Sequence, residues 1–174
     1  MNVAVVGYSG PIDQSPISEI STICIELGMA LARQGHTVFC GGRDGVMELV
    51  SKGVKEVNGN VVGVLPVNET GNEYLSTRIK TPFDNITRSL VLIESSDVVV
   101  SVGGEIGTAI EILIAYARSK PTVLFTGTGG WTDRFSKILI EGKYLDMRKN
   151  TVVYKAQSVD QIVEIITEIG RQRR

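Results

Sequence analysis

The sequence predicts a doubly wound α/β fold, a parallel sheet with helices on both faces, and three observations lead to it. Short proline-free runs rich in β-branched residues alternate along the 174 residues with segments whose apolar residues recur at helical spacing. Glycine-rich turns at 7–10, 41–45 and 103–107 each follow such a run, so a parallel sheet carries all three on one edge. The run Val98 to Val102 suits a strand buried on both faces, which makes it the central strand.

In chain order, Asn2 to Val6 reads as the first strand, closed by Gly7-Tyr8-Ser9-Gly10-Pro11. A helix follows from Ile17 to Gln34 with Ile20, Ile23, Leu27, Ala30 and Leu31 on one stripe, Ser15 as its cap and Pro16 in its first turn. Thr37 to Cys40 is the second strand, Gly41 to Gly45 its turn, Val46 to Val57 the next helix and Asn60 to Leu65 the third strand. A longer connection holds polar Asn68 to Asn72, a short strand near Arg78 to Lys80, and a helix from Asp84 to Ser95 with Ile86, Leu90 and Ile93 on one face. Long connections of this kind serve as lids. After the central strand, Ile106, Ile110, Leu113, Ile114 and Ala117 mark the sheet-facing stripe of a helix reaching Arg118. Thr122 to Phe125, a turn from Thr126 to Trp131, a strand at Thr151 to Tyr154 and a helix from Ser158 to Ile169 complete one domain spanning 1–174.

Composition narrows the chemistry. A net charge of -1, 43% hydrophobic residues and few aromatics argue against a nucleic-acid binder, and Arg171 to Arg174 reads as a frayed, solvated end. No long uncharged apolar run occurs, so no membrane span or secretory signal is expected and the cytoplasm is the predicted location. Cys24 and Cys40 lack any spacing motif and read as reduced core cysteines. With His36 the sole histidine, placed in a turn, neither a Ser-His-Asp triad nor a zinc set is expected, and no metal ligand is assigned.

The candidate site is the strand, glycine turn and helix around Asp97 to Glu111. Free N–H groups and the dipole at that helix start favour an anion, phosphate above all. Gly103, Gly104 and Gly107 permit close approach, and Thr108 adds a hydroxyl. Gly7, Ser9 and Gly10, with Gly41, Gly42, Gly45 and Met47, fall on the opposite wall, because ligands of open α/β sheets bind at the strands' carboxyl ends. Glu111 shares a helix face with Thr108 and has two readings, a helix-dipole role or contact with an uncharged sugar or a cation. Trp131 also has two, stacking on a flat purine or pterin ring or anchoring its loop by packing.

Two familiar nucleotide sites do not fit. The first turn is Gly-x-x-Gly rather than Gly-x-Gly-x-x-Gly, no acidic residue ends the second strand, and no Gly-x-x-x-x-Gly-Lys-Ser/Thr occurs. Gly42-Arg-Asp-Gly-Val-Met47, Val62-Gly-Val-Leu-Pro66, Arg88 and Gly103-Gly-Glu-Ile-Gly-Thr-Ala-Ile-Glu111 together resemble the Lonely Guy family of Rossmann-like proteins, once labelled lysine-decarboxylase-like. That resemblance implies a phosphoribohydrolase acting on the N-glycosidic bond of nucleoside 5'-monophosphates, with Arg88 and Glu111 at the positions of its catalytic arginine and glutamate. The segment Gly129-Gly-Trp-Thr-Asp133 is similar to the molybdenum cofactor carrier branch, which implies binding of a phosphorylated pterin, the molybdenum cofactor as bound ligand, without turnover. Departures are visible: Glu105 stands where the family has a glycine and Gly103 where it has a proline, Asn85-Ile86 replaces its Met-His, and its triple-glycine turn is reduced to Gly41-Gly42.

The helices 84–95 and 106–118 carry further apolar residues off their main stripes, among them Val91, Leu92, Ile112 and Tyr116. Such helices are buried on more than one side, by a neighbouring helix or by a second copy about a two-fold axis. The resemblance implies the second, a homodimer or higher homo-oligomer.

Overall fold

Strand residues point alternately to opposite faces, and in this chain both faces are apolar, so helices have to cover both. The computed structural model describes residues 1–173. These form β1 (Asn2–Gly7), α1 (Ser21–Arg33), β2 (Thr37–Cys40), α2 (Val46–Glu56), β3 (Val61–Leu65), β4 (Thr77–Lys80), α3 (Asn85–Glu94), β5 (Val98–Val102), α4 (Ile106–Ala117), β6 (Thr122–Phe125), α5 (Gly130–Ile138), β7 (Val153–Ala156) and α6 (Val159–Gln172). The strands make one parallel sheet in the order β4-β3-β2-β1-β5-β6-β7. Val3 and Val5 turn to the face covered by α1, α2 and α6, while Ala4 and Val6 turn to the face covered by α3 and α4. Leu124 joins α4 and α5 through Ile112, Tyr116 and Phe135. The chain winds outward from β1 to β4 and then returns to β5 on the other side of β1. This reversal opens a crevice at the carboxyl ends of β1 and β5.

Glycine sets the distance between α1 and α2. A Cβ on Gly28 would strike the Val50 carbonyl oxygen, and one on Gly53 would strike that of Ile25, so the two helices touch backbone to backbone. Cys24 and Leu27 fill the space beneath them, and burial pushes the Cys24 thiol up to about 12. Both cysteines are free and buried, and His36 lies half-buried in the turn before β2.

Several local expectations are corrected. The segment after Pro16 is a 3-10 turn, Ser18–Ile20, and α1 starts at Ser21 without a side-chain cap, because Ile17 and Ile20 turn into the core and Ser15 Oγ instead donates to Glu19 Oε1 at 2.6 Å. β7 lies two residues later than its β-branched run suggests, since pairing with β6 puts Val153 opposite Thr122. α6 continues to Gln172 and Arg173 Nη1 donates to Asp97 Oδ1 at 2.8 Å, so the basic end is ordered helix up to there; Arg174 lies outside the described residues. The connection read as a lid is tied down: the Arg78 guanidinium donates to the carbonyls of Thr70, Asn72 and Leu75, and Asn72 donates to those of Gly42 and Arg43.

The helix faces depart in part from expectation: Ile93 of the α3 stripe is buried as expected, while other stripe residues turn outward. Ile106 is 62% exposed and Leu113 50%, whereas Ile112 and Tyr116 are buried, and on α3 Ile86 and Leu90 face outward while Leu92 and Ile93 face in. With apolar residues on more than one side of α4 hydropathy alone does not fix its rotation, and Thr108 and Glu111 are on the buried side together with Ile112 and Tyr116.

The glycine contacts make a direct comparison possible. We expect Gly53→Ala to lower stability by about 1–3 kcal/mol, because the opposing atom is backbone and cannot rotate away. Gly107→Ala, whose Cβ would meet nothing within 4 Å, should leave stability unchanged or raise it by up to about 1 kcal/mol. Urea unfolding of the two variants beside the wild type checks both signs.

Candidate functional site

The site is built from the floor upward. The Asp84 carboxylate caps α3 by accepting from Thr87 N–H at 2.7 Å, which fixes where the helix begins and turns Arg88, one turn in, toward the sheet. Arg88 is only 5% exposed. Gly41, at the end of β2, makes room for it: a Cβ there would lie 2.7 Å from Arg88 Nη1 and 2.6 Å from Met47 Sδ. Arg88 Nη1 is 3.8 Å from Glu111 Oε1, close enough to attract but too far to hydrogen-bond. Consequently Arg88 Nε and Nη1 are buried with no hydrogen-bond partner.

Glu111, in the second turn of α4, is equally enclosed. Ser89 Oγ donates to its Oε1 at 2.8 Å. Burial raises the pKa of its carboxyl group, opposed by the Arg88 charge and the Ser89 hydroxyl. Burial lowers the pKa of the Arg88 guanidinium, but from so high an ordinary value that it stays protonated. The pair is therefore a fixed cation beside an acid whose charge is costly to keep.

The walls come from the glycine turns, stitched together by backbone bonds. Val46 N–H donates to Tyr8 O at 2.9 Å, joining the first turn to the second, and a Cβ on Gly45 would strike that same oxygen. Gly103 N–H donates to Thr128 Oγ1 at 2.7 Å, and Trp131 N–H donates to Gly104 O at 2.8 Å. The backbone groups of Gly103 and Gly104 thus serve the start of α5, and their positive φ angles, 58° and 94°, turn the chain into α4. Ala109 N–H donates to Glu105 O, while the N–H groups of Ile106, Gly107 and Thr108 have no acceptor among the described residues. Gly107 and Thr108 line the cleft.

Arg88, Glu111, Gly107 and Thr108 line a cleft of about 210 Å³ together with Gly7, Ser9, Gly41 and Met47. Of the other expected residues, Gly10, Gly42 and Gly45 shape the turns behind this lining, and Gly103 and Gly104 hold the α4–α5 junction. Trp131 is not among the residues that line the cleft: its half-buried ring meets Phe135 at 5.6 Å between centroids, with Arg134 5.0 Å from its centroid. Ser89, Asn85 and Arg43 also line the cleft and were missed. Arg43 Nη1 donates to Asn85 Oδ1 at 3.4 Å. The spacing of Asn85 and Ser89, four residues apart on a helix that carries Arg88, was the available signal for two of them. Glu105 precedes the first turn of α4 as its N-cap residue, exposed and without a side-chain cap bond.

Gly107 sharpens the reading. Glycine is unfavourable in a helix, nothing in the protein occupies the space its side chain would fill, and the helix carries it where the cleft lies. That space is open to solvent at the cleft. Among the described residues no group of three or more His, Cys, Asp or Glu is arranged to hold a metal ion, and no helix is long and apolar enough to cross a membrane.

Comparison with known proteins places the chain in a family and shows the same fold in solved structures. The model of the SLOG cluster4 family matches residues 1–173. The crystal structure of TM1055 is 59% identical with a TM-score of 0.95, covering 96% of this chain and 98% of that one. The molybdenum cofactor binding protein of Rippkaea orientalis is 27% identical with a TM-score of 0.78, covering 97% and 96%. The molybdenum cofactor carrier protein of Chlamydomonas reinhardtii is 29% identical with a TM-score of 0.77, also covering 97% and 96%. The Rossmann-like fold and the resemblance to the Lonely Guy superfamily and its carrier branch are borne out.

The buried acid leaves a pH signature. Since the folded pKa of Glu111 is raised, the folded protein keeps a proton that the unfolded chain has lost above the ordinary value of 4.5. That contribution to stability is complete below 4.5 and is lost as pH rises through the folded value. In urea unfolding across this range the wild type should lose stability with rising pH relative to Glu111→Gln, which has no proton to release.

Proposed function

The chain belongs to the SLOG cluster4 family, and from that membership and the cleft we propose that it binds and carries a phosphorylated nucleotide-like ligand, a nucleoside monophosphate or molybdopterin-type cofactor, at the carboxyl edge of the sheet. Arg88 carries this reading. A buried guanidinium whose charge is only partly compensated attracts an anion, and Gly107 and Thr108, whose N–H groups are unbonded, line the same cleft as Arg88. A phosphate monoester satisfies both. The cleft volume of about 210 Å³ lies below the roughly 300–1,000 Å³ that encloses a drug-sized ligand, so phosphate and sugar sit inside and the ring lies toward the mouth. The two cofactor proteins of similar fold support the pterin alternative.

A second reading, phosphoribohydrolase activity, is favoured by the Glu111 carboxylate itself. Its Oε1 is engaged by Ser89, while Oε2 has no partner and is not sealed from solvent. A carboxylate there stabilises positive charge at the ribose anomeric carbon as the bond to the base nitrogen breaks. Water then supplies hydroxide to that carbon and a proton to the departing base.

Calorimetric titration with AMP and with metal-free pterin phosphate separates the ligands, and assay of ribose 5-phosphate from AMP separates carrying from hydrolysis. Arg88→Met should weaken whichever ligand binds at least about tenfold, the worth of one charge-assisted hydrogen bond. Failure of the wild type to bind AMP, the pterin or inorganic phosphate would end the proposal.

The outward apolar residues support a homodimer as the working state. Ile86, Leu90, Ile106 and Leu113 are 38–62% exposed on adjacent helices, and Ile86 also borders the cleft. Light scattering should give twice the 18.8 kDa chain mass, and Leu113→Glu should return it to the single value. The two free, buried cysteines suit a reducing, cytoplasmic setting.

A further inference from the structure

Ser89 has one hydroxyl proton and two oxygens within reach. One is the Asn85 carbonyl of its own helix at 3.1 Å, the usual partner of a buried helical serine. The other is Glu111 Oε1, 22 residues away on α4, and it is nearer at 2.8 Å. Ser89 is buried at 4% exposure, so no water competes for that proton. Arg88, the other neighbour of Oε1, is at 3.8 Å and makes no hydrogen bond that would fix the carboxyl plane.

We infer that Ser89 is the positioning residue of the cleft: its hydroxyl locks Glu111 Oε1 toward α3 and thereby leaves Oε2 as the oxygen presented to a ligand. The inference concerns the orientation of Glu111 and rests on the proposed function only for what Oε2 then meets. Without the Ser89 hydroxyl, the carboxyl group turns about its last bond between Arg88 and the cleft, and neither oxygen has a fixed role. Arg88 and Ser89 thus divide the work. The cation attracts the carboxylate without orienting it, since a charge at 3.8 Å acts on both oxygens, whereas a hydrogen bond selects one.

Ser89→Ala removes the hydroxyl and little else, and the Asn85 carbonyl remains inside its helix. Carboxyl-¹³C glutamate labelling reads the titration of Glu111 in the ligand-free protein, with its signal identified by loss in Glu111→Gln. The hydroxyl stabilises the ionised form, so the midpoint should rise by about one pH unit in Ser89→Ala and return toward the wild-type value in Ser89→Thr. AMP affinity should fall several-fold in Ser89→Ala alone. An unchanged Glu111 midpoint in folded Ser89→Ala would overturn the inference. A shifted midpoint in a protein whose wild type does not bind AMP would keep Ser89 as the positioning residue and count against a nucleoside monophosphate as the ligand.

Discussion

Arg88 is the constraint on which the carboxyl edge of the sheet depends. Its guanidinium cannot give up its proton, and burying such a charge costs several kcal/mol unless opposite charge and acceptors surround it. The chain answers in part. Gly41 clears the space, the Asp84 cap sets the helix that carries it, and Glu111 supplies a counter-charge at 3.8 Å. Two nitrogens remain unmatched. A core optimised for stability alone would replace this pair with apolar side chains, and the uncompensated positive charge is what the proposed binding of an anion rests on.

The glycines divide into three physical roles that composition cannot separate. Gly28 and Gly53 bring two helices into backbone contact, and substitution there meets a carbonyl oxygen. Gly103 and Gly104 adopt positive φ to turn from strand to helix while their backbone groups bond to α5 and the loop before it. Gly107 has neither task. It lines the cleft with open space beside it, which separates it from the glycines that the fold requires.

The rotation of α4 links the site to the surface. Placing Thr108 and Glu111 in the cleft turns Ile112 and Tyr116 onto the sheet and α5, which leaves Ile106 and Leu113 in solvent. The exposed apolar face is therefore a consequence of where the polar side chains have to be. Ile86 belongs to both this face and the cleft border, so the two are continuous on the surface.

Much of the architecture was legible in the sequence, because strands buried on both faces and helices of 3.6-residue period write their own pattern. The seven strands, the glycine turns on one edge and the residues Arg88, Glu111, Gly107 and Thr108 were found from local spacing and from a family resemblance. Periodicity failed where both sides of a helix are apolar, as in α4, since hydropathy then has no preferred direction. It failed also for Ser89, Asn85 and Arg43, and for the pinned connection around Asn72 and Arg78, whose partners lie on other elements or bind through backbone carbonyls. What the sequence determined by itself was the kind of each element and the edge at which the glycine turns gather, because those follow from local period and from the parallel winding. Only the tertiary structure decided which face of α4 is inside, which nitrogens of Arg88 are left free and which oxygen of Glu111 is held, because each depends on distances between atoms far apart in the chain.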